Sequence, residues 1–332
     1  MSDWQTKLRS NPFPVLLSSE NNALRYLVRR DLLVEKVESV EHLWRLPAVE
    51  RIVNKQQENG SWKYPGGKEY IRSAENYNQL ETYRILGTLI EKYGLNKGHP
   101  AIRKPSSYLF SHQTEEGDFR GIYGNQYTPN YTAAMIELLV KAGYGDDPRI
   151  EEGFNWLLSI RQNDGGWAIP LRTIGKEFGT LNDALKRSKP IKPNQSKPFS
   201  HCITGVVLRA FAAHERHRNT KEAKVAGELL ESRFFQPDKY PDRKASDFWM
   251  KFSFPFWFTD LLSALDSLSL LGFSADDEEV NKALEWFVSK QQENGSWRLS
   301  LLRTKDKDLS RWIGLAICRV FKRFYGEPAA KS

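Results

Sequence analysis

Two aspartates and one histidine of this 332-residue chain could do acid–base chemistry. Asp260 lies in the apolar stretch FWFTDLL, and a carboxyl whose surroundings disfavour its charged form can act as a general acid. Asp308 ends the sequence DKD just before a predicted helix, where it could equally serve as a helix cap. His201 begins another predicted helix, where a hydrogen-bonded pocket or cap histidine is the alternative. We predict these three residues as the catalytic candidates, with Asp260 first.

The sequence predicts no metal site and no other cofactor. His201 and Cys202 are neighbours in a predicted helix, so their side chains diverge by about 100°. No second Cys or His is spaced to complete a tetrahedral set of ligands with them. Patterns typical of magnesium–diphosphate, redox, hydrolase and nucleotide sites, namely DDxxD, CxxC, GxSxG and the P-loop, are absent from the sequence.

A repeated motif indicates the elements that must position these residues. The heptapeptide QQENGSW occurs at 56–62 and again at 291–297. With the motif glycine held fixed, 149–167 aligns with 279–297 without a gap, and 101–119 gives a further copy. Apolar residues in these copies recur at spacings of 4, 7 and 8, which places one apolar stripe on an α-helix. The sequence therefore predicts a repeat architecture of amphipathic helices.

Between the copies lie helices that are apolar on several faces, such as NYTAAMIELLVKAGYG and HCITGVVLRAFAAH. Such helices belong inside a protein, whereas striped helices belong outside. Six candidate inner helices can be counted, with five clear outer ones and a sixth from the N-terminal segment. We predict an all-α fold, an α/α toroid in one domain over 1–332, with an insertion loop at about 168–199. An open solenoid of helical hairpins is the alternative.

The copies QQENGSW, QNDGGW (162–167) and QTEEGDF (113–119) resemble the QxxxGxW repeat of squalene–hopene and oxidosqualene cyclases, which is related to the repeat of protein prenyltransferase β-subunits. The copies cover roughly residues 45–326. This resemblance implies an inner ring of parallel helices inside an outer ring, and it does not by itself imply an activity. In that family the motif is structural: its glycine ends an outer helix, and its Gln and Trp join neighbouring helices. The DxDD acid motif of class II terpene cyclases is absent from this sequence.

In such a toroid, the loops that follow the outer helices meet where the inner helices begin, and helix N-termini attract anions. An aromatic cavity with a basic rim could hold an isoprenoid chain with its diphosphate there, and π faces could stabilise a carbocation. The alternative is that the aromatic rings fill the centre. The predicted ligand-binding residues lie at or near the inner-helix starts and are Tyr77, Glu81, Tyr127, Asn130, Trp167, Arg172, Trp249, Phe256, Trp257, Arg303, Arg311 and Trp312.

We therefore predict an isoprenoid- or terpenoid-binding protein that, if it is an enzyme, resembles terpene cyclases or prenyltransferases. Its partner would be a hydrophobic or anionic small molecule such as a prenyl diphosphate. A non-catalytic binding or scaffold toroid is one alternative. A carbohydrate-processing α/α-barrel enzyme is another, with a carboxylate pair drawn from Glu81, Glu177, Asp247 and Asp260.

The overall charge bears on partners and location. The net charge of +8 permits contact with nucleic acid or acidic lipid, but the sequence carries no recognised nucleic-acid-binding module. We predict no specific nucleic-acid binding and leave peripheral membrane contact open. Only two cysteines and no apolar leader at the start indicate a cytoplasmic protein.

Overall fold

The computed structural model describes residues 3–66, 74–175, 188–302 and 306–326. Two residues named above, Glu177 and Arg303, lie outside this described part of the chain. The α-helices in chain order are α1 (Phe13–Leu17), α2 (Asn22–Leu27), α3 (Pro47–Val53), α4 (Ala74–Tyr93), α5 (Pro100–Phe110), α6 (Pro129–Leu139), α7 (Pro148–Ser159), α8 (Pro170–Thr173), α9 (His201–Ala213), α10 (Lys221–Glu231), α11 (Leu261–Leu270), α12 (Glu278–Lys290) and α13 (Leu309–Tyr325).

Short elements complete the described part. Single 3-10 turns occupy Asp3–Lys7, Val40–Arg45, His217–Asn219 and Ser246–Met250, and π-helical turns extend α2 over Val28–Leu32 and α6 over Val140–Tyr144. Strands β1 (Lys251–Phe252) and β2 (Ser300–Leu301) pair in parallel. No described helix is long and apolar enough to cross a bilayer. Peripheral membrane contact and a cytoplasmic location stay predictions.

The chain divides into two compact units. Unit 1 comprises Met1–Ser39 and Arg218–Ser332, and unit 2 comprises Val40–His217. The regular secondary structure of the described residues is helical, apart from the two-residue strands β1 and β2. These features confirm the predicted fold class, an all-α protein of the α/α-toroid type. That residues 1–332 form one domain with an insertion at about 168–199 stays a prediction.

In unit 2, helices of two kinds alternate along the chain. Nine of the eleven residues of α6 and twelve of the thirteen residues of α9 are buried, and these two helices pack on each other. The outer helix α7 buries only five of its twelve residues, on a stripe that faces α6. The predicted division into inner and outer helices therefore follows from how many faces of each helix are apolar.

Unit 1 shows the same division. Helix α11 buries seven of its ten residues and packs on α13, which also contacts α1 and α2. Helices α10 and α12 bury only four residues each, so they are the amphipathic outer helices of this unit. The hydrophobic core of each unit thus lies between one helix apolar on several faces and the stripes of its neighbours.

The repeat forms a turn that we call a clasp: the first clasp is 56–62, the second 113–119, the third 161–167 and the fourth 291–297. The glycine at the fifth position of every clasp has a φ between 84° and 105°, which L-residues rarely adopt. In the first and second clasps the leading glutamine amide donates to a backbone carbonyl in the first turn of the next outer helix, and in the fourth clasp it donates to a carbonyl just before α1. These bonds join Gln56 to Ala101, Gln113 to Arg149 and Gln291 to Ser10.

The clasp tryptophan has a different partner from the one predicted. The indole N–H of Trp62 donates to the carbonyl of Ile52, ten residues earlier, at 2.9 Å. Trp167 and Trp297 donate in the same way to the carbonyls of their own outer helices, at 2.7 and 3.1 Å. The glutamine therefore joins neighbouring segments, whereas the tryptophan secures the end of its own helix.

Candidate functional site

Threonines on the inner helices of unit 2 fix where the loops after the clasps begin. The backbone N–H of Trp62 donates to Oγ1 of Thr82 on α4, at 3.0 Å. The N–H of Phe119 donates in the same way to Thr132 on α6 at 3.1 Å, and that of Trp167 to Thr204 on α9 at 2.9 Å. Thr132 and Thr204 are each the fourth residue of their helix. The chain therefore leaves these two clasps level with the first turn of the next inner helix.

The loops that follow then contact one another. Gln126 accepts a hydrogen bond from the backbone N–H of Ile191 at 3.0 Å, so the loop before α6 lies against the described part of the insertion. The insertion is also held by the N–H of Asn194, which donates to Thr173 Oγ1 at 2.8 Å. We call the N-terminal ends of α4, α6 and α9, with residues 120–128 and 188–199, the unit 2 site.

Tyr127 is the predicted residue with the most developed set of contacts at the unit 2 site. Its hydroxyl donates to Glu116 Oε2 at 2.5 Å, and its ring lies 5.4 Å from that of Trp156. Burial and the bond to Glu116 raise the pKa of Tyr127 to about 12, so the phenol stays protonated at neutral pH. The hydrogen bond from Tyr127 is the main reason that the pKa of Glu116 lies below its ordinary value.

Arg120, the cation of the same loop, is already bound by carboxylates. Its guanidinium contacts Asp118 Oδ2 at 2.8 Å and Glu116 Oε1 at 2.5 Å, and only 13% of its side chain is exposed. Asp118 is fully buried. Glu116 and Asp118 belong to the second clasp, where the sequence indicated only a structural motif, so no sequence signal marked them as partners of a site residue.

Two amide oxygens at the unit 2 site have no hydrogen-bond partner among the described residues. One is Oε1 of Gln79, whose side chain is fully buried between α4 and α6 and whose Nε2 contacts the sulfur of Met135 at 3.7 Å. The other is Oδ1 of Asn130, the second residue of α6. Buried acceptors without a donor are uncommon because each forfeits its hydration, so they point to a missing donor group. Asn130 was predicted from the sequence, and Gln79 was not.

The other predicted residues of unit 2 occupy the surroundings of this site. The ring of Tyr77 packs edge-on against Tyr64 at 5.0 Å. Glu81 pairs with Arg84 at 3.2 Å, yet burial still holds its pKa above the ordinary value. Arg172, in the last turn of α8, is half-buried. Trp167 and His201 are buried in the core, the first as a clasp residue and the second as the first residue of α9.

In unit 1 the two candidate acids lie at helix N-termini. Asp260 is the N-cap of α11: its Oδ1 accepts from the backbone N–H of Ser263 at 2.8 Å, and Ser263 Oγ accepts from the N–H of Asp260 at 2.9 Å. Asp308 precedes α13 and accepts from Ser19 Oγ and from Arg311 Nη1, both at 3.0 Å. Each carboxylate therefore has a structural task, and their catalytic roles stay predictions.

The predicted aromatic residues of unit 1 pack in two groups. Trp312 is buried and stacks on Phe254 with the rings 5.9 Å apart and nearly parallel, while Phe256 meets Phe254 edge-on. Trp249 is buried and donates its indole N–H to the carbonyl of Gln236 at 3.0 Å. Trp257 is half-buried. These rings fill the unit's interior or border it.

Within the described ranges no group of three or more His, Cys, Asp or Glu side chains is arranged to hold a metal ion.

Comparisons with known proteins agree with the repeat. Residues 79–173 match the model of the squalene-hopene cyclase C-terminal domain. The chain is 25% identical over 220 residues to the terpene cyclase-glycosyl transferase fusion protein fsoA of Humicola fuscoatra, covering 61% of this chain and 15% of that protein. It is 24% identical over 225 residues to the squalene–hopene cyclase of Bradyrhizobium diazoefficiens, covering 64% of this chain and 30% of that enzyme. The chain spans less than a third of the length of either relative.

Solved structures show distant likenesses. The type II terpene cyclase MstE from Scytonema aligns with a TM-score of 0.36 and 12% identity, over 85% of this chain and 97% of that one. A polysaccharide lyase aligns with a TM-score of 0.43 and 14% identity, over 92% and 89%. Both TM-scores lie below 0.5, so neither likeness indicates an activity. In its clasp repeats and in the match over residues 79–173, the chain resembles the squalene–hopene cyclases, which confirms the family resemblance predicted from its sequence.

Proposed function

We propose that this squalene-cyclase-like chain binds a hydrophobic small molecule of isoprenoid type at the unit 2 site. One observation carries the proposal: the cyclase-like match over residues 79–173 spans most of α4, all of α6 and the loop 120–128, which form a large part of this site. The match includes Gln79, Tyr127 and Asn130.

The aromatic side chains favour an apolar ligand. Tyr77 with Tyr64, and Tyr123 with Tyr131, form two ring pairs near the starts of α4 and α6, with ring centres 5.0 and 5.8 Å apart. All four side chains are only partly buried, so each exposes part of its surface. Flat rings of this kind contact hydrocarbon at low conformational cost and also attract positive charge.

The polar groups favour a hydroxyl over a diphosphate as the ligand's polar end. The unpartnered atoms of Gln79 and Asn130 are acceptor oxygens, which a hydroxyl can satisfy and a phosphate oxygen cannot. Arg120, the cation of the loop 120–128, is neutralised by Glu116 and Asp118. We therefore infer that a terpenoid alcohol is a better ligand for this site than a prenyl diphosphate.

We propose that the protein binds this ligand, and whether it also converts the ligand to a product is a separate question. The sequence contains no DxDD motif, Asp260 caps α11, and the carboxylate of Asp308 accepts from Ser19 and Arg311. Both carboxyl groups are already engaged in structural hydrogen bonds, whereas protonation of an alkene requires a carboxyl held in its protonated form. A chain that binds a terpenoid without cyclising it fits these contacts best.

The test is direct. Purified protein would be extracted with organic solvent and the extract searched for terpenoids by mass spectrometry. Geranylgeraniol, geranylgeranyl diphosphate and a hydrocarbon of the same length would then be titrated by calorimetry. We expect the alcohol to bind most tightly, and Gln79→Met or Asn130→Leu to weaken it about tenfold by removing an acceptor. The control is Asn281→Leu, the same change on the exposed outer helix α12.

Two outcomes would count against the proposal. The absence of saturable binding for all three ligands would contradict it, as would equal losses in Asn130→Leu and Asn281→Leu. Product formation from a polyprenyl substrate, followed by gas chromatography, would instead contradict the restriction to binding.

A further inference from the structure

Unit 1 contains a cleft of about 910 Å³ beside the fourth clasp. It is bordered by the C-terminal end of α12, by the clasp turn and by the residues that follow it, with Arg9 and Met250 completing the wall. None of its lining residues belongs to α11 or α13, the helices of unit 1 with several buried faces. A volume of this size suits a small organic ligand.

The charged side chains that line the cleft are mostly cationic. Arg9, Lys290 and Arg298 face a single acidic residue, Glu293. The guanidinium groups of Arg9 and Arg298 are exposed and form no hydrogen bond or ion pair with any described residue. Two arginines without a carboxylate are available for an anion, and the planar guanidinium matches phosphate oxygens in pairs.

The clasp turn adds a donor of fixed orientation. Oδ1 of Asn294 accepts from the backbone N–H of Ser296 at 3.0 Å and from its hydroxyl at 2.7 Å. A backbone N–H can only donate, so the oxygen of this amide is assigned by its partner and the NH₂ group is left as the free end. The same cleft is therefore lined by guanidinium, ammonium and amide donors, which together suit a ligand rich in acceptor oxygens.

The cleft also has an apolar side. The ring of Trp286 is half-buried, with Lys290 Nζ 5.5 Å from its centre, and the side chain of Met250 is half-buried nearby in the lining. Indole and thioether surfaces offer contact to hydrocarbon or to a flat ring. An inorganic anion would leave this surface unused.

We propose that the cleft beside the fourth clasp binds an organic phosphate, a mono- or diphosphate ester whose oxygens contact Arg9, Arg298 and Asn294 and whose carbon part lies against Trp286 and Met250. This site goes beyond the binding proposed for unit 2, since its residues belong to unit 1 and its expected ligand is an anion. A nucleoside diphosphate and a prenyl diphosphate share the required chemistry, and the experiment separates them.

The first clasp provides an internal control because it repeats the heptapeptide QQENGSW. Counting from the clasp tryptophan, Lys63 stands where the fourth clasp has Arg298, and Arg51 stands where it has Trp286. Both Lys63 and Arg298 are exposed. The first clasp therefore has the same turn sequence as the fourth and a cation at the position of Arg298, but it has no aromatic residue at the position of Trp286.

The full-length protein would be titrated by calorimetry with ADP, geranyl diphosphate and inorganic pyrophosphate, at low and high salt. We expect at least one of the two esters to bind more tightly than pyrophosphate. Arg298→Glu or Arg9→Glu should weaken that binding about tenfold or more, since each change replaces an attraction by a repulsion. Lys63→Glu should leave the Kd unchanged. Higher salt should weaken binding, as for exposed charges.

Binding of ADP alone, of geranyl diphosphate alone or of both supports the proposal and names the ester. The proposal is overturned if neither ester binds, or if Lys63→Glu and Arg298→Glu have equal effects. Both positions are exposed, so unchanged circular dichroism and melting temperature are expected for the variants. Asn130→Leu, which tests the unit 2 site, should leave ester binding intact, so the two proposals can fail separately.

Discussion

Gln291 and Ser10 are 281 residues apart in the chain and are joined by two hydrogen bonds. The amide Nε2 of Gln291 donates to the carbonyl of Ser10 at 2.9 Å, and the N–H of Ser10 donates back to Oε1 at 3.1 Å. In the first two clasps the equivalent glutamine reaches the start of the next outer helix. Here it reaches the residues just before α1. The N-terminal segment therefore takes the place of an outer helix in unit 1, as the helix count indicated.

This pair should contribute measurably to stability. Gln291 is 2% exposed, so Gln291→Ala would remove both bonds and leave a gap in a buried position. We expect the free energy of unfolding to fall by about 2 kcal/mol. Gln292→Ala, at the exposed neighbouring position, should cost less than about 0.5 kcal/mol. Urea denaturation of both variants measures the difference, and equal losses would contradict the role given to Gln291.

The glycine of the fourth clasp should be irreplaceable for two reasons. Gly295 has a φ of +84°, and a Cβ there would lie 2.1 Å from the backbone oxygen of Asn11. We expect Gly295→Ala to destabilise the protein by about 4 kcal/mol. Gly272 is a matched control because its φ is +76° and a Cβ there meets nothing within 4 Å. Gly272→Ala carries the conformational cost alone, about 1 kcal/mol. A similar loss in both variants would show that the contact with Asn11 is unimportant.

These residues show how far the sequence could lead. The period predicted the clasp glycines, because a helix that stops at a fixed position needs a residue that accepts a positive φ. It could not predict the partner of the third clasp. There Arg161 occupies the glutamine position, and Gln195 of the insertion instead donates to the carbonyl of Arg161 at 2.9 Å. Such contacts depend on where a long loop returns, and no local pattern records that path.

The same limit applies to the candidate sites. Apolar patterning identified the inner helices and hence residues near their starts, such as Tyr127 and Asn130. It could not show that Tyr127 is bonded to Glu116, nor that Gln79 is a buried acceptor without a donor. The cleft beside the fourth clasp was also missed, because Arg9 and Met250, which complete its wall, lie far in sequence from the clasp residues.

A buried ion pair between α6 and α9 provides a test of stability in unit 2. Glu137 Oε2 lies 2.9 Å from Arg209 Nε, with both side chains at most 5% exposed, and Lys141 contacts Glu137 at 2.8 Å. We expect Glu137→Leu to cost about 4 kcal/mol because it leaves a buried guanidinium without its partner. The double variant Glu137→Leu/Arg209→Leu should recover most of that loss. Denaturation that gave additive losses would contradict this coupling.

The same pair predicts the response to acid. Burial opposes ionisation of Glu137, but Arg209 and Lys141 hold its pKa below the ordinary value of 4.5. As the pH falls, Glu137 is therefore protonated in the unfolded state at a higher pH than in the folded state. The pair's contribution to stability is fully present above pH 4.5 and is lost as the pH falls through the pKa of the folded state. Below that window the unfolding free energies of wild type and Glu137→Gln should converge. Chemical denaturation between pH 3 and 7 measures both curves, and parallel curves would rule out this linkage.

Glu231 on α10 should give the opposite dependence on pH. Its Oε2 is buried without a hydrogen-bond partner in the described structure. Burial, with repulsion from Asp277, raises the pKa of Glu231 to about 7, and Lys224 only partly offsets this. Between the ordinary value of 4.5 and about 7 the folded state binds more protons than the unfolded state, so stability falls as the pH rises.

A neutral side chain at position 231 should prevent this fall in stability at high pH. We expect Glu231→Gln to unfold at a higher urea concentration than wild type at pH 8 and at the same concentration at pH 4.5, because only the wild type carries the buried charge at high pH. Glu222→Gln, in the first turn of the same helix, removes the same charge from a half-buried carboxylate that has no buried, unpartnered oxygen in the described structure. If Glu222→Gln stabilised the protein at pH 8 as much as Glu231→Gln did, general charge reduction rather than the buried carboxylate would be the cause.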